Sequence, residues 1–467
     1  MHSLSIQDVR RAVAGKPLRP LPAQWPLIEA VCTDTRHMAP GSLFVALRGD
    51  NFNGHDFLPQ AAAGGAIAAL VDTPPAVVLP NMQVLQVADT RQALGKLACH
   101  VRQSLHAKVI AVAGSNGKTG TKHLIHCAVK DRLKGTISPK SYNNDIGVPL
   151  TIFPVDPVQD YVVLELGTNH PGEIANLAKI ALPDVAVITN AQEEHLEFFG
   201  DLGGVRRENA SIVRGLGEKG LLIVHGDDDQ LLEAVSDYYG QRLTFGLKPT
   251  NDLFAADVQC DIHGVRFMLN GRLPVFVPLL GRHVAVNALA AIAVARRLAV
   301  SEEMIVRGLA GATGPQMRLQ VYELGNLVLI NDAYNANPSS TQAALETLAG
   351  LTTPGRRIAV LGDMRELGDV GVAKHEAMGL LAGSGGVDEL VCIGELARSI
   401  GHGAAQAGMP ADRIAYFADT QAAACALPSR LVPGDIVLLK ASRTMHLEQV
   451  AEAIIAAWRT PSANAAS

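Results

Sequence analysis

Short apolar runs recur along this chain, spaced so that a helix fits between one and the next. VIAVA at 109–113, YVVL at 161–164, VAVI at 185–188 and LLIV at 221–224 each break off at a glycine or a polar residue. Uninterrupted apolar strands of this length belong to sheets buried on both faces, as parallel sheets are. Residues 90–105 read as a helix leading into the first run, and 285–299 as a long helix closing the section. Residues 241–280 differ: they carry short alternating strands, such as 265–269, and read as antiparallel. A second series starts near Gly314-Pro315, with runs at 327–330, 358–361, 390–393 and 436–439, again separated by helical stretches. Ahead of both series the pattern predicts a strand at 42–47, a helix at 57–64 and a strand at 68–71. The Pro-rich TPPAVVLPNMQ that follows reads as a loop near a domain boundary. The expected fold is α/β in three domains, at 1–85, 86–313 and 314–460, with 461–467 as a disordered tail.

Composition narrows the partners. The chain has 467 residues, 48% hydrophobic and 18% charged, the mix of an ordinary globular protein. A net charge of -5 argues against nucleic acid as the main partner, since a phosphate backbone demands a basic face. Six cysteines, none in a C-x-x-C pair, read as reduced thiols. The N-terminal MHSLSIQDVRRAVAG has no apolar stretch of the signal-peptide kind, and the run at 61–71 is too short and too Gly-rich to span a bilayer. A soluble, cytoplasmic protein without stable membrane insertion is expected.

The first candidate chemistry lies at the end of the first long strand. Ala113 runs into Gly114-Ser115-Asn116-Gly117-Lys118-Thr119, with a helix expected from about Thr121. Backbone N–H groups in such a loop converge on phosphate oxygens, and the helix N-terminus adds a favourable dipole. Lys118 can reach the β- and γ-phosphates, and Thr119 can ligate Mg²⁺. ATP is the expected ligand. The loop is a shortened G-x-x-G-K-T form, with Val112 where the longer pattern has glycine. The competing reading is a chance glycine turn with a surface lysine, but strand, loop and helix all fall where phosphate binding requires them.

Other candidates gather at strand ends, where ligands bind in open parallel sheets. Glu165 closes YVVLE and is placed to hold Mg²⁺, against the plainer reading of a solvated strand-end carboxylate. His195 follows VAVITN; alone, a loop histidine is surface or packing. Asn143, Asn144 and Asp145 in SYNNDIGVP bind a substrate or simply form the turn, and the residues do not decide between the two. Asp332 ends LVLIN and suits a ribose hydroxyl. Arg318 in PQMRLQ suits transferred phosphoryl charge, although a structural salt bridge is the plainer reading.

Taken together, GSNGKT, NNDIGVP, ELGTNHPGE, HLEFFG, NDAYNANP, LGDMRELG and ASRTMHLE resemble the Mur ligases in order and spacing, over essentially the whole chain. Within that family the likeness is to the member that joins D-alanyl-D-alanine to UDP-N-acetylmuramoyl-tripeptide. The D-N-P-R motif of the ligase that adds diaminopimelate or lysine is absent. The resemblance implies a UDP-substrate domain, a central P-loop-type ATPase domain with a mostly parallel sheet, and a C-terminal Rossmann-like open α/β domain that binds the incoming amine. It implies ATP and Mg²⁺, an acyl-phosphate intermediate, a monomer, and a place in peptidoglycan synthesis and hence in cell shape and division. It puts Thr119, Glu165 and His195 around the metal, with Lys118 and Arg318 on the phosphates. Asn287 and Asp332 contact the adenosine, while Thr35, Arg36 and Asn53 hold the UDP part. Asn143, Asn144 and Thr168 face the muramoyl peptide, and Asn335, Ser442 and Arg443, with Lys440 nearby, meet the dipeptide.

The chain departs from the family in two places. Asn209 stands where many relatives carry a lysine, carbamylated in some, so support for a second Mg²⁺ must come from elsewhere; Glu208 is adjacent. Val284 follows His283 where the family has asparagine, and one adenine-side hydrogen bond is expected to be lost. A folylpolyglutamate synthetase shares the two later domains but not a first domain of this kind. A nucleotide switch without ligase chemistry does not call for a third domain that brings Arg318 and Asp332 to the nucleotide.

Overall fold

The computed structural model describes residues 3–77 and 79–459, so the expectation for the tail at 461–467 lies outside them. The nine-stranded central sheet explains the continuous apolar runs. In strand Lys108–Ala113, Val109, Ala111 and Ala113 pack on one face and Ile110 and Val112 on the other, each face under its own helices. Helices Thr90–Gln103 and Glu173–Ala181 cover the first face, Lys118–Val129 and His283–Arg297 the second. Lys108–Ala113 lies between Tyr161–Glu165 and Val185–Ile188, parallel to both. The chain therefore crosses from one side of this strand to the other, and the carboxyl ends open into a crevice there.

Two smaller sheets flank it. The first orders Lys16–Pro17, Gln83–Gln86, Ala66–Val71, Ser42–Val45 and Ala30–Cys32, all parallel except the outermost pair at Lys16–Pro17. The Pro-rich loop thus connects two strands of one sheet, and Gln83–Gln86 lies beyond it. The third sheet orders Gln320–Leu324, Leu327–Asn331, Ile436–Lys440, Arg357–Gly362, Glu389–Ile393 and Ile414–Phe417, parallel but for the first pair.

Two expectations need correcting. Gln241–Gly246 was expected in an antiparallel set, but it extends the parallel sheet beside Leu221–His225, and the antiparallel ladder starts only at Leu253–Asp261. The helix after the phosphate loop starts at Lys118, not Thr121, because Gly117 already makes the turn at φ 81°. The six cysteines are free thiols, and among the described residues no helix is long and apolar enough to cross a membrane.

Candidate active site

Two parallel sheets point their carboxyl ends at one cavity of about 1330 Å³. From the central sheet come the phosphate loop, Glu165 and the segment after Val185–Ile188; from the third sheet come Asp332 and Lys440. Helix Lys118–Val129 begins in the loop itself, so the N–H groups of its first turn have no intrahelical acceptor. The loop's shape is braced from behind. Ser115 Oγ donates to Gln192 O at 2.9 Å, and Asn116 N donates to Asn190 Oδ1 at 2.9 Å. Thr189 Oγ1 donates to Asn116 O at 2.6 Å. Two glycines are obligatory. A Cβ on Gly114, at φ 130°, would meet Thr189 Oγ1 at 2.0 Å, and one on Gly117 would meet Asn287 Oδ1 at 2.7 Å. Asn287 is thereby seated against the loop. Ala113 and Gly114 support the loop from below and do not line the cavity.

Lys118 Nζ donates to the carbonyls of Gly114 and Ser115 and lies 3.9 Å from Glu194 Oε2. Thr119 Oγ1 reaches both oxygens of Glu165, at 3.2 and 3.0 Å. The Glu165 carboxyl is 2% exposed. Burial alone would raise its pKa, but the charges of Lys122, Arg318 and Lys118 outweigh that and hold it below the ordinary carboxylate value. Lys122, which sequence reasoning missed, is fully buried and 3.1 Å from Glu165 Oε2.

The donor set suits Mg²⁺ in the manner of nucleotide enzymes. Among the described residues no group of three or more His, Cys, Asp or Glu forms a metal cage. A hydroxyl and a carboxylate already in contact match what Mg²⁺ takes from protein when phosphates and water complete its shell. His195 lines the same cavity, but its near neighbour is Glu366 Oε2, 2.8 Å from Nδ1, and not the Thr119–Glu165 pair.

Arg318 enters from the third unit. Met317 and Leu319 on either side of it hold positive φ, 56° and 46°, a strained backbone that aims the side chain into the cavity. Its guanidinium lies 4.3 Å above the Tyr334 ring. The salt bridge favoured from sequence is absent: among the described residues no carboxylate is within 4.0 Å of Arg318. Asp332 accepts from Leu319 N at 3.1 Å and from Lys440 Nζ at 2.6 Å, and Lys440 also donates to Asn335 O at 3.0 Å. His283 lines the cavity beside them and is exposed to it. Val284 is a core residue, so nothing polar replaces the family's asparagine there.

Both asparagines line the cavity, and one of them also makes the turn that the sequence allowed. Asn143 Nδ2 points to Glu165 Oε1 at a long 3.5 Å, inside the cavity. Asn144 lines the cavity too, and it also forms the turn: its Oδ1 accepts from Ile146 N at 3.2 Å and Gly147 N at 2.8 Å. Thr168, Ser442 and Arg443 line the cavity. Thr168 Oγ1 donates to His170 O, Ser442 Oγ accepts from Arg365 N at 2.8 Å, and Arg443 pairs with Glu448 at 3.0 Å. Thr35, Arg36 and Asn53 are not brought to the cavity. Arg36 pairs with Asp34, and Asn53 Oδ1 accepts from His55 N.

Asn209 is buried, with Nδ2 on Val205 O and Oδ1 without a partner. Glu208 does not substitute for the missing lysine. Its carboxylate accepts from Gly172 N and Ile174 N, capping helix Glu173–Ala181, with Thr168 Oγ1 3.2 Å away. Glu208→Ala is expected to lower stability by about 1–3 kcal/mol, as buried N–H groups lose their acceptor, measurable by urea unfolding.

The third unit is docked across the cavity mouth. Asn116 Nδ2 donates to Ser339 Oγ at 2.9 Å, Ser141 and Tyr334 share a hydroxyl hydrogen bond, and Lys374 Nζ meets Glu193 at 2.5 Å.

Known proteins match this arrangement along the chain. Residues 27–102 match the family described as "Mur ligase family, catalytic domain", 112–295 the "Mur ligase middle domain", and 317–443 the "Mur ligase, glutamate ligase domain". The UDP-N-acetylmuramoyl-tripeptide--D-alanyl-D-alanine ligase of Escherichia coli K12 is 38% identical over 91% of this chain and 94% of its own. A crystal structure of MurF from Acinetobacter baumannii superposes with a TM-score of 0.88 at 32% identity, covering 98% of this chain and 99% of that one. MurF from Thermotoga maritima, solved in complex with ADP, gives 0.83 at 28% identity over 92% and 98%. Three family matches in chain order, together with this whole-length likeness, show that the chain belongs to the Mur ligase family.

Proposed function

We propose that this enzyme uses ATP to join D-alanyl-D-alanine to UDP-N-acetylmuramoyl-tripeptide, giving the pentapeptide precursor of peptidoglycan. The observation that carries the reading is the single cavity with a phosphate loop and the Thr119–Glu165 pair on one wall and Arg318 on the other. The whole-length relatives that bear this activity in their names support the choice of substrates. The chemistry runs in two steps. An oxygen of the peptide carboxylate takes the γ-phosphoryl group of ATP, releasing ADP and leaving an acyl phosphate. The dipeptide amine, having lost its ammonium proton, attacks the acyl carbon, and inorganic phosphate departs as the amide forms.

Phosphoryl transfer asks protein for position and charge rather than covalent help. Lys118 neutralises the β- and γ-oxygens from the loop side, and Arg318 does so from the docked third unit. Thr119 and Glu165, with His195 at the cavity wall, would hold Mg²⁺, which when bound neutralises phosphate charge. Asn287, His283 and Asp332 surround the nucleoside, and Asn143, Asn144 and Thr168 face the acyl substrate. Asn335, Ser442 and Arg443 meet the dipeptide. Thr35, Arg36 and Asn53 hold the UDP group on the first unit, away from the reacting atoms, which a long substrate reaches from the cavity. The family likeness implies a monomer acting in the cytoplasm. The first sheet, at residues 16–86, speaks against a folylpolyglutamate ligase.

The reading is tested by phosphate release. It is expected only when ATP, UDP-N-acetylmuramoyl-tripeptide and D-alanyl-D-alanine are all present, with the pentapeptide product seen by mass spectrometry. Release indifferent to both peptides refutes the ligase.

A further inference from the structure

Lys122 lies one turn beyond Lys118 on the helix that follows the phosphate loop, yet it points away from the phosphates and into the protein. Its side chain is 0% exposed, and each of its three N–H donors has an acceptor. Glu165 Oε2 lies at 3.1 Å, Ser138 O at 2.9 Å and Lys140 O at 2.8 Å. A lysine this deep is rare unless it is paired. Here only one of the three acceptors is a carboxylate. The other two are carbonyls of the segment between strand Gly135–Ile137 and helix Gly147–Ile152.

That segment carries residues the reaction uses. Ser138 Oγ accepts from Glu165 N at 3.0 Å, Ser138 N donates to Val163 O at 2.9 Å and Gly167 N donates to Asn143 O at 2.8 Å, so the ammonium joins a set of ties between segment and strand end. Ser141 bonds Tyr334, the ring under Arg318, and Asn143 reaches back to the other oxygen of Glu165. One ammonium therefore joins the carboxylate on the nucleotide side to the main chain that presents Asn143 on the acyl side.

We propose that Lys122 is a positioning residue that locks the 138–143 segment to Glu165, so that the acyl carboxylate and the γ-phosphate are held in one rigid frame. The proposal rests on the ligase reading for what the segment presents. It goes beyond that reading in assigning a residue that touches no substrate.

Lys122→Met keeps the stem's volume and removes the three bonds. In the full-length enzyme, with no ligand, hydrogen exchange of amides in 138–146 is expected to quicken while that of Lys108–Ala113 stays slow. Affinity for an ATP analogue is expected to change by less than about threefold, since the loop's own donors remain. Affinity for UDP-N-acetylmuramoyl-tripeptide is expected to weaken about tenfold, and kcat to fall about 100-fold, the size of loss that a displacement near 1 Å produces. Ser138→Ala, which removes the hydroxyl's ties to Glu165 N and Val163 O and leaves Lys122 in place, is expected to show the same pattern in smaller measure, and it supplies the test if Lys122→Met does not fold. A purely structural lysine gives a different result: a lower melting temperature, with the folded enzyme binding the UDP substrate as the wild type does and exchange at 138–146 unchanged. That result overturns the proposal alone. A wild type that does not bind the UDP substrate overturns the ligase reading and this inference together.

Discussion

Lys118→Ala is expected to cut turnover by about 1000-fold or more while leaving the protein folded, because a fixed positive charge on transferring phosphate acts where water cannot replace it. The ammonium sits in a loop braced by Thr189, Asn190 and Gln192, and none of those braces passes through the lysine side chain. Its hydrogen bonds are to the carbonyls of Gly114 and Ser115 within its own loop. Removing them costs on the order of 1 kcal/mol, and alanine at the first position of a helix is well tolerated. Melting temperature should therefore move by a few degrees at most while phosphate release all but stops. A soluble variant with near-normal turnover would falsify the placement of the phosphates at Gly114–Thr119.

What was legible beforehand follows from how local each signal is. The run at 109–113 is apolar at every position because both faces of its strand are covered, and the glycine that ends it marks the turn. The phosphate loop is read from six consecutive residues. Gln83–Gln86 and Gln320–Leu324 went unseen because each is short and mixes polar with apolar positions, so tertiary pairing and not periodicity makes them strands. The neighbours Asn143 and Asn144 look alike in a sequence; only their partners show that one reaches the Glu165 carboxylate while the other accepts from the turn's own N–H groups. Lys122 reads as a solvated helix position until its three acceptors are known, and those come from two other segments. Glu366, beside His195, depends on the docking of one unit on another, which no local pattern encodes. The family likeness brought distant motifs together, and at Glu208 local geometry excluded a substitute for the missing lysine.

Glu165→Gln is expected to produce the second large effect, and on both activity and stability. Glutamine keeps the shape and still accepts from Thr119, but it loses the negative charge that faces Lys122. Breaking a buried pair from one side strands the other charge, which costs about 3 kcal/mol or more. Turnover is expected to fall by at least about 100-fold, as for loss of one fixed electrostatic contact to the reacting group. It should not be recovered at saturating nucleotide and substrate. The stability loss has a pH signature. The Glu165 carboxyl is held below its ordinary value because Lys122, Arg318 and Lys118 outweigh the effect of burial. Its contribution is thus fully present above the unfolded pKa, about 4.3, and is lost as pH falls through the folded value. The gap in unfolding free energy between wild type and Glu165→Gln should be widest from about pH 5 upward and should close on acidification. Denaturant titrations at several pH values measure that gap. One that stays constant down to pH 3 would mean that the Glu165 charge is not what holds Lys122 in the core, and that the carbonyls of Ser138 and Lys140 suffice to keep the ammonium there.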